Sequence, residues 1–147
     1  MKLKIAWIGK TRSSAIQSLT DEYLKRLKHC ADVEGLSLKD EAALLKLSEP
    51  GARPVRHVLV LLDTRGQQLS SEEFAKWLGE HQDRNPSPLL FAVGSADGFR
   101  DETRRAATFV LSLGKMTLAH ELARVVLLEQ IYRAFTILKG HPYHLGH

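Results

Sequence analysis

The chain has 147 residues, 44% hydrophobic and 26% charged, which is enough apolar side chain for one domain with its own core and too much for a disordered chain. Lys and Arg number 21 against 17 Asp and Glu, a formal charge of +4 and a pI near 9.3 that suit a polyanionic partner. The single cysteine, Cys30, excludes a disulfide framework and a thiolate-rich zinc site and fits a reducing cytosol. No apolar run approaches the ~20 residues that cross a bilayer, and Met1 to Lys10 is too short and too charged for a signal peptide, so a cytoplasmic location without membrane contact is expected.

In chain order, short apolar runs alternate with helix-like stretches, the pattern of an α/β fold with a mostly parallel sheet. Leu3 to Gly9 predicts a strand, Ala15 to Cys30 a helix, Val33 to Leu38 a strand and Asp40 to Leu47 a helix. Residues 48–56, rich in Pro, Gly and charge, form a connection, followed by a strand at His57 to Leu62 and a helix at Ser71 to His81. Ser70 with Glu73 reads as a capping box for that helix. After a second loop, residues 82–88, come a strand at Pro88 to Val93, a helix at Asp101 to Ala107, a strand at Thr108 to Leu113 and a long helix at Leu118 to Lys139, stopped by Gly140 and Pro142. Residues 58–62 and 89–93 are continuously apolar, as central strands covered on both faces are. The first thirty residues carry seven Lys or Arg against two acids, a solvated face or a phosphate-contact surface.

Ligands of an open parallel sheet bind beyond the carboxyl ends of its strands, which singles out three segments: Leu62 to Gly66, Val93 to Gly98, and Ser112 to His120. Gly94, Ser95, Ala96 and Gly98 let a backbone approach a ligand, although GSADG is neither a dinucleotide fingerprint nor a phosphate loop. Asp63 and Asp97 read first as turn-capping residues and only second as acid–base groups. No Ser-His-Asp set is gathered in a hydrolase context. Four of the seven histidines lie in the last thirty residues, beside Arg124, Arg133, Tyr132 and Tyr143. On a helix His120 and Arg124 share a face, as do Glu129 and Arg133, whereas Arg124 and Arg133 point to nearly opposite sides, implying two functions. The long helix is apolar almost all round, as a deeply buried core helix or one partly covered by a dimer partner is. His141, His144 and His147 could be offered to a metal, but Pro142 and Gly146 make the tail irregular and mobile; no metal site is expected.

The run from Leu118 to Phe135 (LAHELARVVLLEQIYRAF), followed by His141-Pro142-Tyr143-His144, closely resembles the bacterial large-subunit rRNA pseudouridine-N3 methyltransferases, the small single-domain branch of the SPOUT superfamily. The resemblance extends over essentially the whole chain, through MKLKIAWIGK, Tyr23 to Arg26, Leu62-Asp63-x-x-Gly66, Val93-Gly94 and Met116-Thr117-Leu118. It implies one α/β domain over residues 1–147 with a C-terminal trefoil knot, a homodimer, and S-adenosyl-L-methionine held by Leu62, Gly94, Ser95 and the run Gly114, Lys115, Met116, Thr117, Leu118 and Ala119. It further implies methyl transfer to N3 of a pseudouridine in the intersubunit-bridge stem-loop of 23S rRNA, on the large subunit or the assembled 70S ribosome. His120 and Arg124 are then candidates for contacting RNA, and Arg133, Tyr143 and His144, on a tail that closes over the site, for catalysis. The chain departs from the family in having Gly94-Ser95 where Gly-Gly is usual, Ala119 where Pro is usual, and three residues beyond His144. A Cβ at position 95 bears on the space for the cofactor and on any backbone with φ > 0. The rival reading is a SPOUT-like protein that binds RNA or ribosomes without catalysis.

Overall fold

The computed structural model describes residues 1–146. Strands β1 (Lys2–Ile8), β2 (Asp32–Leu38), β3 (Val58–Gln68), β4 (Leu89–Val93) and β5 (Phe109–Ser112) form one sheet in the order β2-β1-β4-β3-β5, every pair parallel. The helices are α1 (Ser14–Leu27), α2 (Glu41–Ser48), α3 (Ser71–Arg84), α4 (Asp101–Ala106), α5 (His120–Leu138) and the short α6 (Tyr143–Gly146).

Alternation along the strands divides the apolar side chains between two layers. Leu3, Ile5, Trp7, Val60, Phe91 and Val93 pack with Leu27 of α1, Phe74 and Leu78 of α3, and Leu127, Leu128, Ile131 and Phe135 of α5. Ala6, Leu59, Leu61, Leu90 and Ala92 pack with Leu44 of α2 and with Phe99 on the other face. β4, at the centre of the sheet, is buried along its whole length, as its continuous apolar run predicts. α5 lies between α1 and α3 over the sheet, so most of its apolar circumference is accounted for within one chain; Leu122 and Leu138 remain over 40% exposed. Among the described residues, no helix is long and apolar enough to cross a membrane.

The capping box of α3 is present, with Ser70 Oγ accepting from the Glu73 N–H at 3.0 Å and Glu73 Oε1 accepting from the Ser70 N–H at 2.8 Å. Three expectations are corrected. Residues 62–66 do not leave the sheet as a loop: β3 continues to Gln68 after an excursion in which both Leu62 and Gln67 pair with Leu111. Gly66 permits this return, since a Cβ there would lie 2.5 Å from the Val110 carbonyl oxygen. α5 begins at His120, two residues late, because Leu118 belongs to the segment descending from β5. The tail is also not irregular: residues 143–146 form a helical turn anchored on α5 and α3.

Candidate active site

The three segments at the strand ends converge. The β3 excursion, the β4–α4 loop and the β5–α5 segment enclose a cleft of about 290 Å³, at the lower end of the ~300–1,000 Å³ typical of small-molecule sites. Of the nine residues assigned to the cofactor, Leu62, Gly94, Ser95, Gly114, Met116, Thr117 and Leu118 line it; Lys115 and Ala119 do not. Lys115 is exposed beside Met116, and Ala119 is the N-cap of α5. Phe99 approaches so closely that a Cβ on Gly94 would lie 3.2 Å from its ring. Ser95, by contrast, does not have positive φ; its carbonyl accepts the Gly98 N–H at 3.0 Å, and its side chain imposes no backbone strain.

Asp63 is the charged centre of the cleft. Its Oδ1 accepts from the Arg65 N–H at 2.9 Å, the turn-capping role read from sequence, while Oδ2 accepts from Arg104 Nε at 3.0 Å. Burial pushes its pKa up, but the Arg65 amide and the Arg104 guanidinium outweigh that, and the carboxyl is held below its ordinary value. Arg104 is the lining residue that the sequence conceals. It sits on a short charged helix that reads as a solvated surface, and only the crossover from β4 to β5 brings α4 beside β3.

His120 lines the same cleft. Arg124, one turn on, is only 2% exposed and therefore presents nothing to an RNA. Its guanidinium carbon lies 4.2 Å from the Trp7 ring centroid and its Nη1 donates to Thr11 Oγ1 at 2.7 Å. Desolvation lowers its pKa.

Arg133, Tyr143 and His144 form a second cluster, and none of them lines the cleft. Glu129 is its hub: Oε1 accepts from Arg133 Nε at 3.1 Å, and Oε2 accepts from Arg133 Nη2 at 2.8 Å and from Tyr143 Oη at 3.0 Å. Arg133 Nη1 lies 2.8 Å from His144 Nδ1, and His144 Nε2 lies 2.6 Å from Glu72 Oε1. A guanidinium only donates, so Nδ1 accepts and the imidazole proton lies on Nε2, directed at Glu72. The hydrogen bond from His144 holds the Glu72 carboxyl below its ordinary pKa, and the bond to Glu129 raises that of Arg133. Burial, then the bond to Glu129, raises the Tyr143 phenol far above its ordinary value. The i, i+4 pairing of Glu129 with Arg133 is legible in the sequence; Glu72 is not, since a chain separation of 72 residues leaves no local signal. Among the described residues no group of three or more His, Cys, Asp or Glu could hold a metal, and His147 lies outside the described residues.

A five-stranded parallel sheet with a glycine-containing cleft at its carboxyl edge is the frame of an α/β nucleotide- or cofactor-binding enzyme. Solved structures share the fold: a probable methylase family protein from Haemophilus influenzae aligns over 96% of this chain and 69% of its own at 10% identity and TM-score 0.62. The SpoU methyltransferase AviRb from Streptomyces viridochromogenes, crystallised with AdoMet, aligns over 95% of this chain and 59% of its own at 15% identity and TM-score 0.59. Residues 1–144 match the family described as "Predicted SPOUT methyltransferase". Among curated relatives, ribosomal RNA large subunit methyltransferase H of Koribacter versatilis is 59% identical over the full length of both chains, and that of Trichlorobacter lovleyi is 44% identical over 98% of this chain and 99% of its own. The chain belongs to the SPOUT methyltransferases and, within them, to the ribosomal RNA large subunit methyltransferase H family.

Proposed function

We propose that this chain methylates N3 of a pseudouridine in the intersubunit-bridge stem-loop of 23S rRNA, on the large subunit or assembled 70S ribosome in the cytoplasm, as an S-adenosylmethionine-dependent homodimer. The observation that carries the reading is the convergence of Leu62, Gly94, Ser95, Gly114 and Leu118 on one cleft, in a chain that matches the methyltransferase H relatives end to end.

The residues present fit the cofactor. Leu62, Leu113 and Leu118 offer apolar surface to an adenine, and the loop of residues 94–98 offers backbone polar groups. When bound, S-adenosylmethionine supplies a methyl group activated by a sulfonium. The protein's share is to align the nucleophile and exclude water, for which proximity supplies up to ~7–11 kcal/mol.

N3 of pseudouridine must also lose a proton. Tyr143, which donates to Glu129 and has a raised pKa, stays protonated and acts as a donor. Arg133, held cationic by Glu129, suits a phosphate or the charge developing on the base. His144 carries a lone pair on Nδ1 and is the proton acceptor of the three once it is released from Arg133.

Arg133 lies thirteen residues beyond His120, or ~20 Å along α5, so the tail does not close over the cleft of its own chain. A homodimer in which α5 runs antiparallel to its copy brings one protomer's tail to the other's cleft. The knot implied by the family is part of the same reading.

The test supplies S-adenosylmethionine with a labelled methyl group to 70S ribosomes, large subunits and free 23S rRNA that lack the modification, and maps the product by mass spectrometry. One methyl at N3 of a pseudouridine is the expected result; no incorporation, or incorporation elsewhere, overturns the reading.

A further inference from the structure

The loop after β1, Gly9 to Ser13, sits at the same carboxyl edge of the sheet as the cleft segments but does not line the cleft. It is pinned on both sides of Lys10. The Gly9 N–H donates to the Leu38 carbonyl at 2.8 Å, and its own carbonyl accepts from Ser37 Oγ at 2.7 Å. Thr11 Oγ1 accepts from the buried Arg124. The Arg12 and Ser13 N–H groups donate to Glu121 Oε2 and Oε1 at 3.0 and 3.2 Å. These amides hold the Glu121 carboxyl below its ordinary pKa, so the carboxylate is engaged with backbone rather than with a cationic side chain.

Such a rigid loop presents two cations. Lys10 and Arg12 are exposed, and among the described residues neither has a carboxylate within ion-pair distance. Glu121, which fixes the loop, follows His120, which lines the cleft, so one turn of α5 sets the position of both. Two cations without an ion-pair partner, carried on a fixed backbone beside a cleft, suit a phosphodiester backbone, because the loop that bears them need not be ordered when the RNA binds.

We propose that Lys10 and Arg12 form a phosphate-binding arm for the RNA flanking the nucleotide presented to the cleft, with Glu121 and Arg124 as positioning residues. The proposal rests on the rRNA methyltransferase reading and adds the surface that registers the substrate. It also gives Arg124 a role: its guanidinium tolerates burial over Trp7 and an unpartnered Nε while it fastens Thr11.

The test is the salt dependence of binding to a stem-loop RNA, with cofactor affinity measured alongside. K10A/R12A is expected to lower the slope of log K against log[salt] by about 1.4–1.8, at 0.7–0.9 per phosphate contact, to raise KM for RNA, and to leave the affinity for S-adenosylmethionine unchanged. Exchanging the cations as K10R/R12K restores the slope. E121A is expected to raise KM for RNA with kcat at saturating RNA preserved, which general loss of folding would not do. If the wild type methylates rRNA and K10A/R12A keeps both its salt slope and its KM, the arm is overturned and the methyltransferase reading stands. If the wild type neither binds nor methylates rRNA, both fall.

Discussion

Glu129 holds the tail cluster together, and its value is set by what it satisfies. One carboxylate receives two bonds from Arg133 and one from Tyr143, and its side chain and that of Arg133 are 20% and 10% exposed. Removing an acceptor from nearly buried donors costs ~1–3 kcal/mol. Glu129→Ala is therefore expected to lower the urea-unfolding free energy by that order, and Glu72→Ala, at the exposed end of the network, by much less. Ala119 supports a change of opposite sign. Its φ of −55° is one that proline adopts, and as N-cap it donates no hydrogen bond within α5. Ala119→Pro is expected to raise stability by ~0.4–1 kcal/mol through the unfolded chain, read as a higher urea midpoint with unchanged slope. At this scale the sequence was readable where partners are near in the chain, as for Ser70 with Glu73, Glu129 with Arg133, and Asp63 with the Arg65 amide. It was silent where the partner is remote, as for His144 with Glu72 and Arg104 with Asp63.

Among the elements, β3 shows best how an α/β pattern becomes a site. The run of residues 58–62 is legible as a buried strand because its apolar residues are continuous; the polar residues that follow read as a turn, although they are an excursion within a longer strand. Pairing with β5, and the absence of a Cβ on Gly66, recapture residues 67 and 68, and periodicity contains no term for either. The excursion displays Asp63, whose lowered pKa has a consequence for the element. A depressed folded pKa contributes stability that is fully present above the ordinary value of 3.8 and is lost as pH falls through the folded value. Asp63→Asn is thus expected to destabilise the protein at neutral pH and to converge with the wild type in acid below pH 3.8. Urea titrations at pH 7 and pH 3 check this; an equal difference at both rules it out. α6 shows the reverse failure. Pro142 and Gly146 mark a chain without regular structure, yet the polar bonds of Tyr143 and His144 to α5 and α3 order it.

For the whole molecule, the separation of cleft and tail cluster along α5 makes dimerisation a question of chemistry as well as of mass. Sedimentation is expected to give about 33 kDa, twice the 16.5 kDa of one chain. A variant blocked in the cleft, Gly94→Leu, and one ending at Gly140 are each expected to be inactive alone. Mixed as dimers, they recover about a quarter of wild-type methylation if each site takes its cleft from one protomer and its tail from the other. A mixture as inactive as its components, with mixed dimers confirmed, rules out the shared site. By itself the sequence determined the α/β class, five parallel strands, the fully buried β4, the glycine-bearing loop and the family, because local periodicity, capping and contiguous motifs express these directly; β3, read from its apolar run as equally covered, is buried only at residues 59–61. Only the tertiary structure decided the strand order β2-β1-β4-β3-β5, the entry of Arg104 into the cleft, the burial of Arg124 and the docking of the tail. Each of these depends on which distant segments come to lie side by side, and that is settled by packing and long-range pairing rather than by the order of residues along any one element.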